Sequence, residues 1–261
     1  MKKTLIALAV AASAAVSGSA MAWTANGTGG SVSLGGTLTP ADVITPWEVK
    51  VGAAVNGLNA DIRKGDTKVD IPVKNAIPVL GIRTVEVGKP FQGQSGIAPQ
   101  ISYGAAVDLN AFKAGVTTVS MEVRDKQDRV IGGLVAPFFA GAEVSQRNGS
   151  QDYKYFLYAS AAGEAFFGGL PKGPDGATND ISTKLNAISS EFVANYTTQG
   201  VAEYKDTYGS TSFQDLNTTY SAYYGSGIRS GDTLAITLNQ AASGDAPIQW
   251  NASLPITISY Q

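Results

Sequence analysis

The sequence predicts a mostly β fold carrying a helical insertion, and three observations predict it. Apolar and polar residues alternate in several short runs, the mark of strands with one face in a core and the other in water. Glycine supplies 30 of 261 residues, above the usual share of about 7%, and only 15% of residues are charged. That composition points to turns joining strands. Only the middle of the chain carries apolar residues at helical spacing.

In chain order, residues 1–22 read as an export signal. Lys2 and Lys3 precede the apolar run Leu5–Val16, and Ala20-Met21-Ala22 forms a small-x-small cleavage site. That run is too short to span a bilayer, and no later run approaches about 18 apolar residues. Residues 23–40 form a leading segment, glycine-rich at first, in which Val32, Leu34, Gly36 and Leu38 share one face. An ordinary first strand with a glycine bulge would give the same pattern.

A main domain is expected over 41–261. Its clearest strands hold Trp47, Val49 and Val51; Val69, Ile71 and Val73; Val119, Met121 and Val123; and Leu234, Ile236 and Leu238. Within it, about 145–226 reads as a helical insertion. Ile181, Leu185, Ile188 and Phe192 form a helical stripe over 178–200, with Asn179 or Asp180 to cap its start and Gly200 its end. A second helix is expected over Tyr153–Phe167, stopped by Gly168-Gly169 and Pro171. The chain finishes on Leu254, Ile256, Ile258 and Tyr260, one face of a strand running to within one residue of the end. A terminal strand tucked into its own sheet reads the same way.

Composition also excludes chemistry. Net charge is −2 with no basic block, so nucleic acid is not an expected partner. Without histidine, Ser-His and Cys-His nucleophiles and histidine metal sites are impossible. No cofactor is implied. There is no cysteine either, so an exported chain must find stability without disulfides. The carboxylates include no pair that stands out as a glycosidase acid and base, and the chain reads as a non-enzyme. A secreted hydrolase therefore has little support. An outer-membrane β-barrel would need regular strands of about 9–11 residues, longer than several of these runs.

Several stretches, spread along the whole chain, carry a resemblance. They are the signal, Trp23, Gly30–Leu38, Trp47–Gly52, Phe166-Phe167-Gly168-Gly169-Leu170-Pro171, Tyr224-Gly225-Ser226-Gly227, and Gln249-Trp250 ahead of Leu254–Tyr260. In this order they resemble the FaeG-like family of major fimbrial subunits and adhesins of chaperone–usher fimbriae from enterotoxigenic enteric bacteria. The centre, about 145–220, departs most.

The resemblance implies an incomplete immunoglobulin-like sandwich lacking its last strand. It implies a groove beside Leu254–Tyr260, filled first by a periplasmic chaperone and then, at the outer-membrane usher, by the 23–38 arm of an identical subunit. Val32, Leu34 and Leu38 would enter pockets, and Gly36 would sit where the groove narrows. The resemblance further implies transit through the periplasm to a surface fimbrium and a host carbohydrate receptor. Arg147, Asn148, Gln151, Asp152 and Tyr153 form a polar run that suits glycan contacts, although a solvated loop has the same composition. A minor subunit of the same system and a secreted carbohydrate-binding protein stay open as alternatives.

Overall fold

This computed structural model describes residues 25, 26, 28, 32–39 and 44–261, apart from 151 and 203 and the side chains of 205 and 206. The expected signal, Trp23, Gly30 and Ser31 lie outside the described residues. The chain divides into two units, Met1–Ala41 and Asp42–Gln261. In the first, residues 32–39 have no regular secondary structure.

The second unit is built from twelve strands and one α-helix among the described residues. The strands are β1 Trp47–Val51, β2 Lys68–Pro72, β3 Ile77–Thr84, β4 Phe91–Gln92, β5 Pro99–Ser102, β6 Val116–Arg124, β7 Val130–Arg147, β8 Tyr153–Leu157, β9 Tyr204–Gly209, β10 Thr219–Ile228, β11 Thr233–Leu238 and β12 Thr257–Tyr260. The helix, α1, spans Ile181–Ile188. The large sheet runs β1-β3-β10-β7-β11-β2, with further strands joined to β7, β8 and β10, and β12 pairs β5 in a separate two-stranded sheet. All pairings are antiparallel except β8 with β9. This is the mostly β, antiparallel architecture of an immunoglobulin-like sandwich.

β7 organises it. Its 18 residues pair with β6 and β11 over their first part and with β10 and β8 over their last. The main core collects Leu80, Ile82, Leu134, Phe138, Phe166, Phe213 and Tyr224. Tyr103 accepts or donates hydrogen bonds at 2.8 Å to Tyr224 and 2.9 Å to Ser226 inside it.

A second apolar cluster lies under α1, where Ile181, Leu185, Ile188 and Phe192 meet Phe139, Phe156 and Tyr223. All four stripe residues are buried, as their spacing demands. The helix itself is shorter than expected. It stops at Ile188 because Ser189 is extended (φ −159°, ψ 115°), and Phe192 reaches the cluster from a 3-10 turn, Ser190–Phe192. Asp180 stands at the N-cap without a side-chain capping bond, and Gly200 turns at φ 78° well beyond the helix.

The seat of α1 explains part of the glycine count that composition assigned to turns. Gly81, Gly225 and Gly141 lie side by side on β3, β10 and β7. A Cβ at Gly81 would meet the Phe192 ring at 2.2 Å, one at Gly225 would meet Leu185 at 2.7 Å, and one at Gly141 would meet Ile181 at 3.0 Å. A row of absent side chains lets the helix lie against the sheet.

The helix expected over Tyr153–Phe167 is not formed. Its first part is β8 and the rest is turns. Aromatic residues suit a strand as well as a helix, and β7 offers an edge to pair with. Nor is about 145–226 one helical insertion, since β10 lies in the main sheet between β3 and β7. β1 departs too: only Trp47 is buried, and Val49 and Val51 stay exposed.

Candidate groove and hairpin sites

From Trp250 to Tyr260 every second residue is half-buried against the core, while Asn251, Ser253, Pro255, Thr257 and Ser259 are exposed. Such regularity marks extended chain with one face inward. Its backbone is paired at Asn251, which exchanges two hydrogen bonds of 2.9 Å with Arg124, and over its last four residues. β12 bonds β5 with Ile258 opposite Ile101 and Tyr260 opposite Pro99. Residues 252–256 make no backbone–backbone hydrogen bond among the described residues.

A second run behaves alike. After Gly52 donates to Val79 O at 2.9 Å, residues 53–62 hold just one such bond, Asn59 N to Gly57 O. Order resumes where Gly65 N donates to Ala242 O at 2.9 Å and Lys64 pairs with Asp245. Gly52 is required there, because a Cβ would meet Pro78 O at 1.9 Å.

These two runs rim one groove of about 1110 Å³. Its strand walls are apolar, with Ile71, Val119, Leu134, Phe138 and Ile236, and the rims add Leu58 and Ile62 on one side and Trp250, Leu254 and Ile256 on the other, together with polar residues such as Asn56, Asp61 and Asn251. Open core and unpaired backbone coincide here. Either invites an added strand, which would cover the first and bond the second.

The C-terminal rim has a support that sequence reasoning missed. β5 is held from its other side, with Ile101 N donating to Phe167 O at 2.8 Å and Phe166 N to Pro99 O at 2.7 Å. The buried Gln100 amide donates to Glu164 O at 3.0 Å and accepts from Gly163 N at 3.0 Å. Gly168, at φ 81°, passes so close that a Cβ would meet Ile101 O at 2.0 Å. Phe166 and Phe213 are fully buried at φ 60° and 58°, a backbone region that bulky residues hold only when their surroundings impose it. The Phe166–Pro171 stretch was the one available signal, and spacing did not disclose its job.

Of the expected donor residues, Val32, Leu34 and Leu38 are 88%, 93% and 97% exposed, and a Cβ on Gly36 would meet nothing within 4 Å.

The β7–β8 hairpin brings three of the five candidate glycan residues together. Arg147 bonds Asp152 at 3.1 Å and Gln199 O at 3.3 Å. Asp152 Oδ1 accepts from the backbone N–H of Asn148 and of Gly149, both at 3.1 Å. Asp152 thus shapes its own turn. Tyr153 opens β8 half-buried, and Gln151 lies outside the described residues. Of the aromatics assigned to the core of this region, Phe166 is fully buried, while Tyr155, Tyr158 and Phe167 are half-buried.

Nearby stands a group no motif announced. Glu143 is 4% exposed, and its carboxylate accepts hydrogen bonds from Tyr223 at 2.7 Å, Tyr204 at 2.9 Å and Tyr196 at 3.0 Å. Burial, then the Glu143 charge, pushes all three phenols up. The Tyr204 ring stacks with Phe156 at 4.8 Å and lies 4.4 Å from the Lys154 ammonium. Among the described residues no acidic cluster is placed to hold a metal ion.

The family described as "Fimbrial, major and minor subunit" matches residues 1–261. The chain is 34% identical to K88 fimbrial protein AC and 32% identical to K88 fimbrial protein AB, and 29% identical to F41 fimbrial protein, all of Escherichia coli. Each similarity covers 100% of both chains.

Proposed function

The chain belongs to the family of fimbrial major and minor subunits, a structural protein of the cell-surface fimbrium and not an enzyme, and from that premise we propose that it polymerises by donor-strand exchange. Residues 23–38 of one copy fill the groove of the next, with Val32, Leu34 and Leu38 inward and Gly36 at its narrow point. Before assembly a strand of a periplasmic chaperone occupies the groove against Leu254, Ile256, Ile258 and Tyr260. The outer-membrane usher is where the two exchange. Carriage through the periplasm follows from the signal at 1–22.

One observation carries this reading: a groove of about 1110 Å³ with apolar strand residues in its walls, whose rims make among the described residues one backbone–backbone hydrogen bond over 53–62 and none over 252–256. Dimensions agree. Val32–Leu38 extended spans about 20 Å, and the rim Trp250–Tyr260 about 33 Å. Burying Val32, Leu34 and Leu38 is worth on the order of 5–9 kcal/mol, and each ladder bond adds about 0.5–1.5 kcal/mol. Ordering the arm costs roughly 1–2 kcal/mol per residue, so fibre durability rests more on slow unfolding than on affinity.

The fibre's contact with host carbohydrate is assigned to the β7–β8 hairpin, at Arg147, Asn148, Gln151, Asp152 and Tyr153. Polar side chains gathered on one exposed turn support it.

Deleting residues 23–38 tests the central reading. The truncated chain should fold with its chaperone yet form no polymer. Heat-resistant ladders from it on an unboiled denaturing gel would overturn donor-strand exchange.

A further inference from the structure

Three Asn–Gly pairs occur in the sequence, at 26–27, 56–57 and 148–149. Such pairs lose ammonia when the glycine nitrogen reaches the asparagine Cγ, and a free, exposed backbone is what that approach needs. Gly27 lies outside the described residues. The other two pairs differ sharply in structure.

At the β7–β8 hairpin the chemistry is blocked. The attacking atom, Gly149 N, donates to Asp152 Oδ1 at 3.1 Å. The amide it would attack is held as well, since Asn148 Oδ1 accepts from Ser150 N at 3.0 Å. On the groove rim neither reacting group is held, although Gly57 O accepts from Asn59 N at 2.8 Å. Asn56 and Gly57 are exposed. Among the described residues the Asn56 side chain and Gly57 N make no hydrogen bond. Gly57 is at φ 79° with open space where a Cβ would stand.

We propose that Asn56-Gly57 is a site of spontaneous deamidation that is open while the groove is empty and closed once a strand fills it. Gly57 N forms a bond to Asn56 Cγ, the Cγ–NH₂ bond breaks, and ammonia departs with the proton from Gly57 N–H. Water then opens the five-membered imide at either carbonyl, leaving aspartate or isoaspartate at 56. Isoaspartate inserts one extra carbon into the main chain. Leu58 and Ile62, which line the groove just downstream, then lose their register with any incoming strand. Subunits that wait too long empty are retired from assembly.

Closure by a filling strand rests on the donor-strand reading, whereas the reactivity of the empty rim does not. The test takes the full chain from one preparation, separates monomer from polymer by size, incubates both in mildly alkaline buffer, and follows conversion at 56 and 148 by peptide mass mapping. In monomer, conversion at Asn56 should run several-fold faster than at Asn148; an equal or slower rate overturns the site. In polymer, conversion at Asn56 should fall to the Asn148 rate or below. A sized polymer that converts at Asn56 as fast as monomer overturns the protection while leaving polymerisation intact. Failure to obtain any polymer defeats the donor-strand reading, and the monomer ratio alone then decides the site. Aged monomer should also lose its capacity to polymerise. Asn56→Gln, whose longer side chain closes that ring poorly, should keep it; equal loss in both chains overturns the consequence for assembly.

Discussion

The two sides of β3, β7 and β10 end very differently. On the face under α1, a row of three glycines admits a helix, and Leu185 and Phe192 close directly onto the sheet. Polar groups there are satisfied too: Glu143 has three phenol donors, and among the described residues no buried side-chain nitrogen or oxygen lacks a partner. In the groove, Val51 and Val55 remain exposed and Trp250, Leu254 and Ile256 half-exposed, along backbone that bonds to little. The lesson is a division of labour. One side is completed by the chain's own residues. The other leaves apolar residues uncovered, and it is there that the proposed donor strand would add.

That contrast can be broken by substitution. Phe138→Ala, at a fully buried position in the main core behind the groove, should cost about 3–5 kcal/mol in the urea unfolding of the monomer. A cost below about 1 kcal/mol would mean the core is not closed there.

Alkaline pH should come next. The buried phenols hold their protons above the unfolded value of about 10, so the unfolded chain releases protons first and stability declines as pH rises beyond it. Burial, the largest cause, holds Tyr224 up to about 12. That group alone withdraws on the order of 2–3 kcal/mol between pH 10 and 12. Urea midpoints at pH 8 and 11 that coincide would contradict the closed picture.

Gly225→Ala should lose about 1–3 kcal/mol by overpacking, since its Cβ would press on Leu185 at 2.7 Å and Phe192 at 2.8 Å. Recovery by a compensating Leu185→Ala, read in the same unfolding assay, would sharpen the assignment of the glycine row.

Ile256→Ala sharpens the other half. Half-exposed in the monomer, it should cost the monomer about 1 kcal/mol or less, since little of its area is yet removed from water. The polymer should lose clearly more and dissociate faster on heating. Equal losses in monomer and polymer would mean that no strand covers it.

Legibility followed distance along the chain. The alternation of Leu254, Ile256, Ile258 and Tyr260 and the stripe Ile181, Leu185, Ile188 and Phe192 were visible as spacings, and both sets do face apolar surroundings. Tyr153–Phe167 misled because aromatic residues at mixed spacing suit either period, and the edge of β7 settled the matter. The Glu143 cluster was out of reach: its donors stand 53, 61 and 80 residues away. Gln100, which steadies the rim 63 and 64 residues from its partners, was equally hidden.

By itself, then, the sequence determined which side of each segment would shun water, because that preference is written in the period of neighbouring residues. Whether a given apolar face finds a cover was decided only by tertiary structure. Gly81, Gly141 and Gly225 make a seat only once three distant strands align, and Leu58 and Leu254 line one groove because, among the described residues, no strand runs between their segments. Cover is a property of pairs of segments brought together from afar, and no local spacing records it.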